Sequence, residues 1–598
     1  MTAYGWVVAL PFLAALIGLL GGRRIPGGPA VPAVAGTLAA TVLAVWQAVG
    51  WHGLAERALA TIPTGGPELT VLLRIDGRAA GVAVMVCCVA LAVQVYSIGY
   101  MRGDPRYSSY AAFVSLFTAA MLLVVVSGDL LVLYVGWEVM GVCSYFLIGH
   151  YWEERYASRA AVKAFLMTRV GDVGFLFGVF VLAGAAGSFR IGTVLAAVPH
   201  MPPAALTAAT LLLILGVAGK SAQFPLHSWL PDAMAGPTPI SALIHAATMV
   251  AAGVYVVARL EPAFVAAPAS AAVLALVATV SMVGAALAAL AQRDLKRVLA
   301  YSTISQLAYM AAALAAGGAD AATYHLHTHA AFKALLFLCA GAVIHAVGSN
   351  DLADFGGLRR RMPITFVTMT IGFAALAAFP PFAGFFSKEA VLGSLLHTTV
   401  LPAPVAVITV AGAFGTIALT AAYATRAWLM TFFGPARAPS AHDAGWSMTG
   451  PLVALAVPAL ALGLVVLPRF HPGPEVRTGL AGTVLALAGA LGAWAVWRRD
   501  PAADPARVLG PLRAPFEAAF GVDTVYAAVV VRPARALARA VVRVDDQVVD
   551  AAVEGTGRSA RGLGGLLRRT QMGGNAQAYL TGLLAGVVLI VVLVGVFG

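Results

Sequence analysis

Long apolar stretches alternate with short polar breaks along almost the whole chain. Each stretch has roughly the 17–25 residues that a helix needs to cross a bilayer. They fall at about 2–20, 29–50, 79–100, 110–127, 130–150, 161–186, 206–224, 239–259, 269–291, 299–317, 322–347, 363–383 with an extension to about 397, 404–431, 449–468, 476–497 and 576–598. The pattern predicts an all-α polytopic membrane protein with about sixteen transmembrane helices, because backbone polar groups in lipid must be satisfied within the helix. The first stretch lacks a basic leader; its basic pair, Arg23 and Arg24, follows it, so it reads as an uncleaved span.

Two features depart from a plain bundle. Helix breakers cluster inside apolar territory at Pro225, Pro231, Gly236, Pro237 and Pro239, and again at Pro380, Pro381 and Gly384. Broken helices in corresponding places of two halves point to a repeated transporter fold with a midplane site. For the first cluster a second reading stands, a loop over Pro231–Pro239. The other departure lies at 514–575. There Arg532, Arg535, Arg539 and Arg543 share one helix face, followed by Asp545, Asp546, Asp550 and Glu554. A long amphipathic helix lying laterally in the interface fits this, with 576–598 as its anchor; the alternative is a linker helix touching only lipid headgroups.

Composition narrows the class. Hydrophobic residues make up 60% and charged residues 11% of 598, too few charges to cover a water-soluble protein of this size. A cytosolic enzyme, a disulfide-framed secreted domain and a disordered tail are excluded. Cys87, Cys88, Cys143 and Cys339 all sit in apolar runs without a CxxC pair, so no iron–sulfur or zinc ligand set is expected. No nucleotide fingerprint is present, and any redox or ATP cofactor is expected on other subunits. With the N-terminus outside, the inner loops carry Arg23 and Arg24; Arg102 and Arg106; Arg155 and Arg159; Arg293, Lys296 and Arg297; and Arg359–Arg361. Arg57, Arg74 and Arg78, in one longer outer loop, run against that bias.

The basic residues are divided unevenly. Of 38, five are lysines: Lys163, Lys220, Lys296, Lys333 and Lys388. Loops use arginine, and Lys296 reads as the one clear loop lysine. Lys220, Lys333 and Lys388 lie within or beside apolar spans. A desolvated lysine can shed its proton, whereas arginine cannot, and each lysine at the bilayer centre costs roughly 2.5–3.5 kcal/mol. The pattern therefore suggests a proton relay, against the plainer reading of lysines snorkelling to an interface. Glu138 sits mid-span and needs a positive partner or a raised pKa; in such a relay, Lys220 is the expected partner. Asp172 follows Arg169 by three residues, so those two can pair on one helix face, as structure or as relay support. His245 lies alone in its span. His325, His329 and Lys333 follow at four-residue spacing, a titratable stripe in an apolar helix; two histidines four apart also suit zinc, but no acid or thiol accompanies them.

The stretches GWEVMGVCSYFLIGHY (136–151), KAFLMTRVGDVGF (163–175), GKSAQFPLHSWLPDAMAGPTPISALIHAATMVAAGVYVVAR (219–259), DLKRVLAYSTISQLAYM (294–310), HLHTHAAFKALLFLCAGAVIH (325–345) and GFFSKEAVL (384–392) resemble the antiporter-like subunits of respiratory complex I. The C-terminal extension is similar to the L-type members. The resemblance implies two inverted-topology repeats with broken helices, at 110–260 and 261–432. Around them it implies N-terminal helices over 1–109, additional helices over 433–513, a lateral helix over 514–575 and an anchor over 576–598. It implies proton translocation by Glu138, Lys220, His245, His325, His329, Lys333 and Lys388, with Arg169 and Asp172 in support, driven by quinone reduction elsewhere. FMN, iron–sulfur clusters and quinone are then expected on partner subunits, with no cofactor or metal on this chain. The partners would be other membrane-arm subunits, an M-type neighbour braced by the lateral helix, and the lipid bilayer; no nucleic acid is involved. The location would be a bacterial inner membrane. A stand-alone or Mrp-type cation/proton antiporter remains the alternative.

Overall fold

The computed structural model describes residues 3–25, 28–51, 53–63, 65, 67–464 and 474–597. The spans are α1 (Ala3–Gly21), α2 (Ala30–Val49), α3 (Gly77–Tyr100), α4 (Tyr107–Val126), α5 (Leu130–Ile148), α6 (Arg155–Ala186), α7 (Pro203–Lys220), α8 (Thr238–Ala246), α9 (Met249–Arg259), α10 (Pro268–Ala291), α11 (Leu295–Ala315) and α12 (Ala319–Val347). There follow α13 (Pro363–Leu376), α14 (Ala383–Leu396), α15 (Ala403–Phe432), α16 (Trp446–Leu464), α17 (Pro474–Trp497) and α18 (Ala576–Phe597). Among the described residues, 16 helices or helix pairs are long and apolar enough to cross a membrane. They match the expected spans with one exchange. The stretch expected at 363–383 is two short helices, α13 and α14, and the run from Pro505 to Arg569 meets the length criterion instead. Residues 465–468 of the expected span 449–468 lie outside the described residues.

Aspartates fix several helix starts. Asp76, Asp129 and Asp294 each accept hydrogen bonds from backbone N–H groups in the first turn of α3, α5 and α11, satisfying donors that have no helical partner. The loop between α2 and α3 is an antiparallel hairpin, Ala55–Ile62 with Leu69–Ile75. Here two of the three arginines that oppose the charge bias find acids. Arg74 pairs with Glu56, and Arg78 lies 2.8 Å from Asp320 and 3.6 Å from Glu261.

Two helix breaks share one construction. The helix α7 ends at Lys220 and α13 at Leu376. Two residues later stands an alanine with positive φ, Ala222 (49°) or Ala378 (62°), and three further on a cis-proline, Pro225 or Pro381. Gly384 lets α14 start against α13, since a Cβ there would fall 1.8 Å from the Ala375 carbonyl oxygen. After the first break come one helical turn, Trp229–Asp232, and a 3-10 turn, Ala233–Ala235, so the stretch from Pro231 toward Pro239 is largely a connection. A third interruption separates α8 from α9. Thr248 turns its hydroxyl back to the Leu243 carbonyl at 2.7 Å, adding to the long 3.5 Å bond that this carbonyl accepts from the Ala247 N–H at the end of α8.

The chain forms two compact units, residues 1–520 and 521–598. In the first, α9, α11 and α12 form the buried centre. The approach to the long C-terminal helix is pinned within this unit. Asp504 lies 2.7 Å from Arg426 of α15 and 2.9 Å from Arg513, and the Gln292 amide donates to the Glu517 carbonyl at 2.9 Å. Positive φ at Ala519 and Phe520 ends that approach. The second unit is a helical run over 522–571 followed by α18. At 1.5 Å per residue the run is about 75 Å long, far beyond the roughly 30 Å of a bilayer core. The amphipathic helix expected from 514 thus begins at Val522, where the backbone after Gly521 becomes continuously helical.

Candidate functional site

The first charge cluster depends on how closely two helices approach. Gly171 on α6 faces Gly216 and Gly219 on α7, while Gly174 and Gly178 receive the Leu215 and Leu213 side chains of α7, and Gly216 that of Phe175 of α6. A Cβ on Gly171 would fall 2.8 Å from the Leu215 carbonyl oxygen, and one on Gly219 3.2 Å from the Gly171 Cα. Small residues of this kind let membrane helices touch backbone to backbone. The approach brings Asp172 of α6 to Lys220 at the last turn of α7, with Nζ 3.2 Å from Oδ2, both side chains fully buried. The other carboxylate oxygen accepts from Trp137 Nε1 at 2.6 Å. Glu138, expected opposite Lys220, pairs instead with Arg169. Arg169 Nε is 4.0 Å from Asp172, so the expected Arg169–Asp172 pair is the longer contact. The geometry explains the exchange: Asp172 sits on the helix that meets α7 backbone to backbone, while Arg169 reaches across to α5. Gly141, one turn beyond Glu138, makes room for both cations; a Cβ there would lie 2.8 Å from Lys220 Nζ and 3.2 Å from an Arg169 guanidinium nitrogen.

A second group lies on α8, α12 and α14. His245, His325, His329 and Lys333 are fully buried, and Lys388 is 2% exposed. Lys333 donates to Ser302 Oγ and, at 3.1 Å, to the Leu299 carbonyl. His325 Nδ1 is 2.9 Å from Ser387 Oγ, the residue before Lys388, and Lys388 donates to the Leu376 carbonyl left free by the second break, at 2.7 Å. The His325 and His329 rings are 6.2 Å apart. Neither ring nitrogen of His245 or His329 has a partner among the described residues, nor does His325 Nε2. The sequence-predicted residues His245, His325, His329, Lys333 and Lys388 are thus all buried, with His325 and Lys388 brought together through Ser387 and α14. Lys220 stands in the separate pair with Asp172. Past the break Gln223 Nε2 reaches the Ile304 carbonyl of α11 at 3.4 Å, and α11 carries the Ser302 that holds Lys333.

Several participants were missed in the sequence. Lys296, read as a loop lysine, is 4% exposed in the first turn of α11 and donates to the Met234 and Gly236 carbonyls at 2.6 and 2.8 Å. Its place between Asp294 and Arg297 mimics a loop; only the tertiary fold closes 233–237 over it. Ser302 and Ser387 carry no distinguishing pattern. Glu389, beside Lys388, is also buried and accepts from Thr478; its adjacency to a candidate lysine was a usable signal. Among the described residues no group of three or more His, Cys, Asp or Glu is placed to hold a metal ion.

Two family models match the chain. One, described as "NADH:quinone oxidoreductase/Mrp antiporter, TM", covers residues 127–415. The other, "NADH-Ubiquinone oxidoreductase (complex I), chain 5 N-terminus", covers residues 62–111. NADH-quinone oxidoreductase subunit L of Mycobacterium tuberculosis is 40% identical over 626 aligned residues, 98% of each chain. F(420)H(2) dehydrogenase subunit L of Methanosarcina mazei is 36% identical, over 98% of this chain and 97% of that one. A chain in the solved Mrp complex of a Dietzia species superposes with a TM-score of 0.76 at 26% identity; the alignment covers 99% of this chain and 63% of that longer one.

Proposed function

The chain belongs to the antiporter-like subunits of complex I, as an L-type member, and on that premise we propose how its buried charges move protons. It is a proton-translocating membrane-arm subunit of an NADH-quinone oxidoreductase complex. The relay runs from the Asp172–Lys220 pair, with Glu138 and Arg169 beside it, to His245, Lys333, His329, His325 and Lys388. The observation that carries this reading is the burial of three lysines with three histidines whose ring nitrogens are largely unpartnered. Such ammonium groups are costly in a membrane interior, and only groups able to release a proton repay that cost by function. A change of charge at one member alters the energy of the next because a low-dielectric interior screens poorly.

The two breaks of matching construction support a pair of repeats, which we assign inverted topology, with the domain boundaries given above. The 522–571 helix, amphipathic and too long to cross, supports a lateral brace against an M-type neighbour. The arginine-bearing loops support a bacterial inner membrane with the N-terminus outside. Redox groups and quinone reside on partner subunits. The test is Lys220→Ala beside Lys220→Arg in the assembled complex. Both abolish proton pumping if Lys220 must release a proton; normal pumping with Lys220→Arg refutes the relay.

A further inference from the structure

A surface cavity on the arginine-bearing face opens at the C-terminal end of α12, the helix that carries His325, His329 and Lys333. Its volume is about 380 Å³. Arg102 lines it from beyond α3, His345 from the end of α12, Ser440 and His442 from the segment leading into α16, and Ser447 from the first turn of α16; among the described residues no carboxylate lines it. The ring of His345 is 5.8 Å from that of Tyr100. The Tyr100 hydroxyl is 3.1 Å from Thr238 Oγ1, and Thr238, the first residue of α8, is 1% exposed. Further along α8, Ser241 and His245 follow at spacings of three and four, on the same helix face as Thr238. That face packs on α12. A Cβ on Gly341 would fall 3.0 Å from Thr238 Cγ2, and the His245 ring is 4.6 Å from that of Phe337, one turn from Lys333. Ser241 and His245 are buried, and neither the Ser241 hydroxyl nor either His245 nitrogen has a partner among the described residues.

We infer that this cavity is the uptake mouth of the relay, and that protons pass from His345 and Tyr100 over Thr238 and Ser241 to His245 and Lys333. The inference rests on the relay reading and supplies its intake. Each hydroxyl accepts a proton on its oxygen and releases its own hydrogen onward, so the side chain ends unchanged. One helical turn of about 5–6 Å separates successive stations on α8, a gap that one bridging water spans. Basic and neutral groups at the mouth keep a carboxylate from trapping the proton before it enters.

The test uses the assembled complex in inverted vesicles, with the arginine-bearing face outward. Ala444, a wall residue with no assigned role, becomes Ala444→Cys and is modified by an impermeant quaternary-ammonium methanethiosulfonate. The unsubstituted complex, which carries exposed Cys88, is the control. In parallel, Thr238→Val with Ser241→Ala removes both hydroxyls at nearly constant volume. Pumping is expected to drop at least threefold on modification, to return with dithiothreitol, and to drop similarly in the double variant at normal assembly; restoring Ser241 as Ser241→Thr recovers part of it. Both losses are required, and either alone overturns the inlet as drawn. Normal pumping in both, with Lys220→Arg inactive, removes the inlet and leaves the relay. Normal pumping with Lys220→Arg removes both.

Discussion

Gly141→Ala separates the packing of the charge site from the stability of its helix. Alanine is worth about 0.5–1 kcal/mol over glycine inside a helix, so α5 alone should gain. The new methyl, however, would stand 2.8 Å from Lys220 Nζ, whereas unstrained contacts between such atoms begin near 3.4 Å. The ammonium must retreat by about 0.6 Å. Taken up along the 3.2 Å contact to Asp172, that shift lowers the pair's attraction from about 5.2 to about 4.4 kcal/mol at an effective dielectric of about 20. The difference, about 0.8 kcal/mol, is roughly a fourfold change in the equilibrium the pair controls. The assay is acridine-dye quenching in inverted vesicles, normalised to the assembled complex on a native gel. Assembly is expected to be unchanged or improved and pumping reduced about fourfold. Undiminished pumping at full assembly would refute the claim that this glycine sets the Lys220 geometry.

Gly384→Ala drives a Cβ to 1.8 Å from a backbone oxygen that cannot step aside; a penalty of about 3 kcal/mol or more should empty the native gel of assembled complex, and normal accumulation would contradict the packing of α13 on α14. Burial alone would raise the Asp504 carboxyl, but Arg426 and Arg513 outweigh it and hold it below the usual carboxylate range. Because the folded value is depressed, its stabilisation is present above the unfolded value of about 3.9 and is lost as pH falls through the folded one. Asp504→Asn leaves Arg426, 2% exposed, without its counter-ion at a cost of about 3–5 kcal/mol. Limited proteolysis at 500–517 should then rise at neutral pH, while the unsubstituted complex shows the same cleavage only in strong acid; equal cleavage at neutral pH would sink the idea.

Much of this architecture was legible because a bilayer imposes one length and one polarity on every span. The rarity of lysine singled out Lys220, Lys333 and Lys388, and all three prove buried. What stayed hidden depends on contacts between elements. Periodicity along α6 places Arg169 and Asp172 on one face, yet only the glycine contact with α7 decides that Asp172, and not Glu138, meets Lys220. Lys296 looked solvated because its sequence neighbours are charged, while its environment comes from a connection some sixty residues earlier in the chain. The hairpin at 55–75 escaped notice since its first strand is exposed throughout and shows no alternating burial pattern to advertise it.

The glycine seam between α6 and α7 has a mechanical consequence. Where Gly171 meets Gly219, beside the ion pair, backbone lies on backbone, so the skeletons there act as the jaws of a calliper around Asp172 and Lys220. Rotamer changes in neighbouring residues cannot widen it by degrees. The gap can open only by a swing of the lysine's own stem or by displacement of whole helices, motions that belong to microseconds and longer when they are collective. A machine built this way would gate its charge by moving struts.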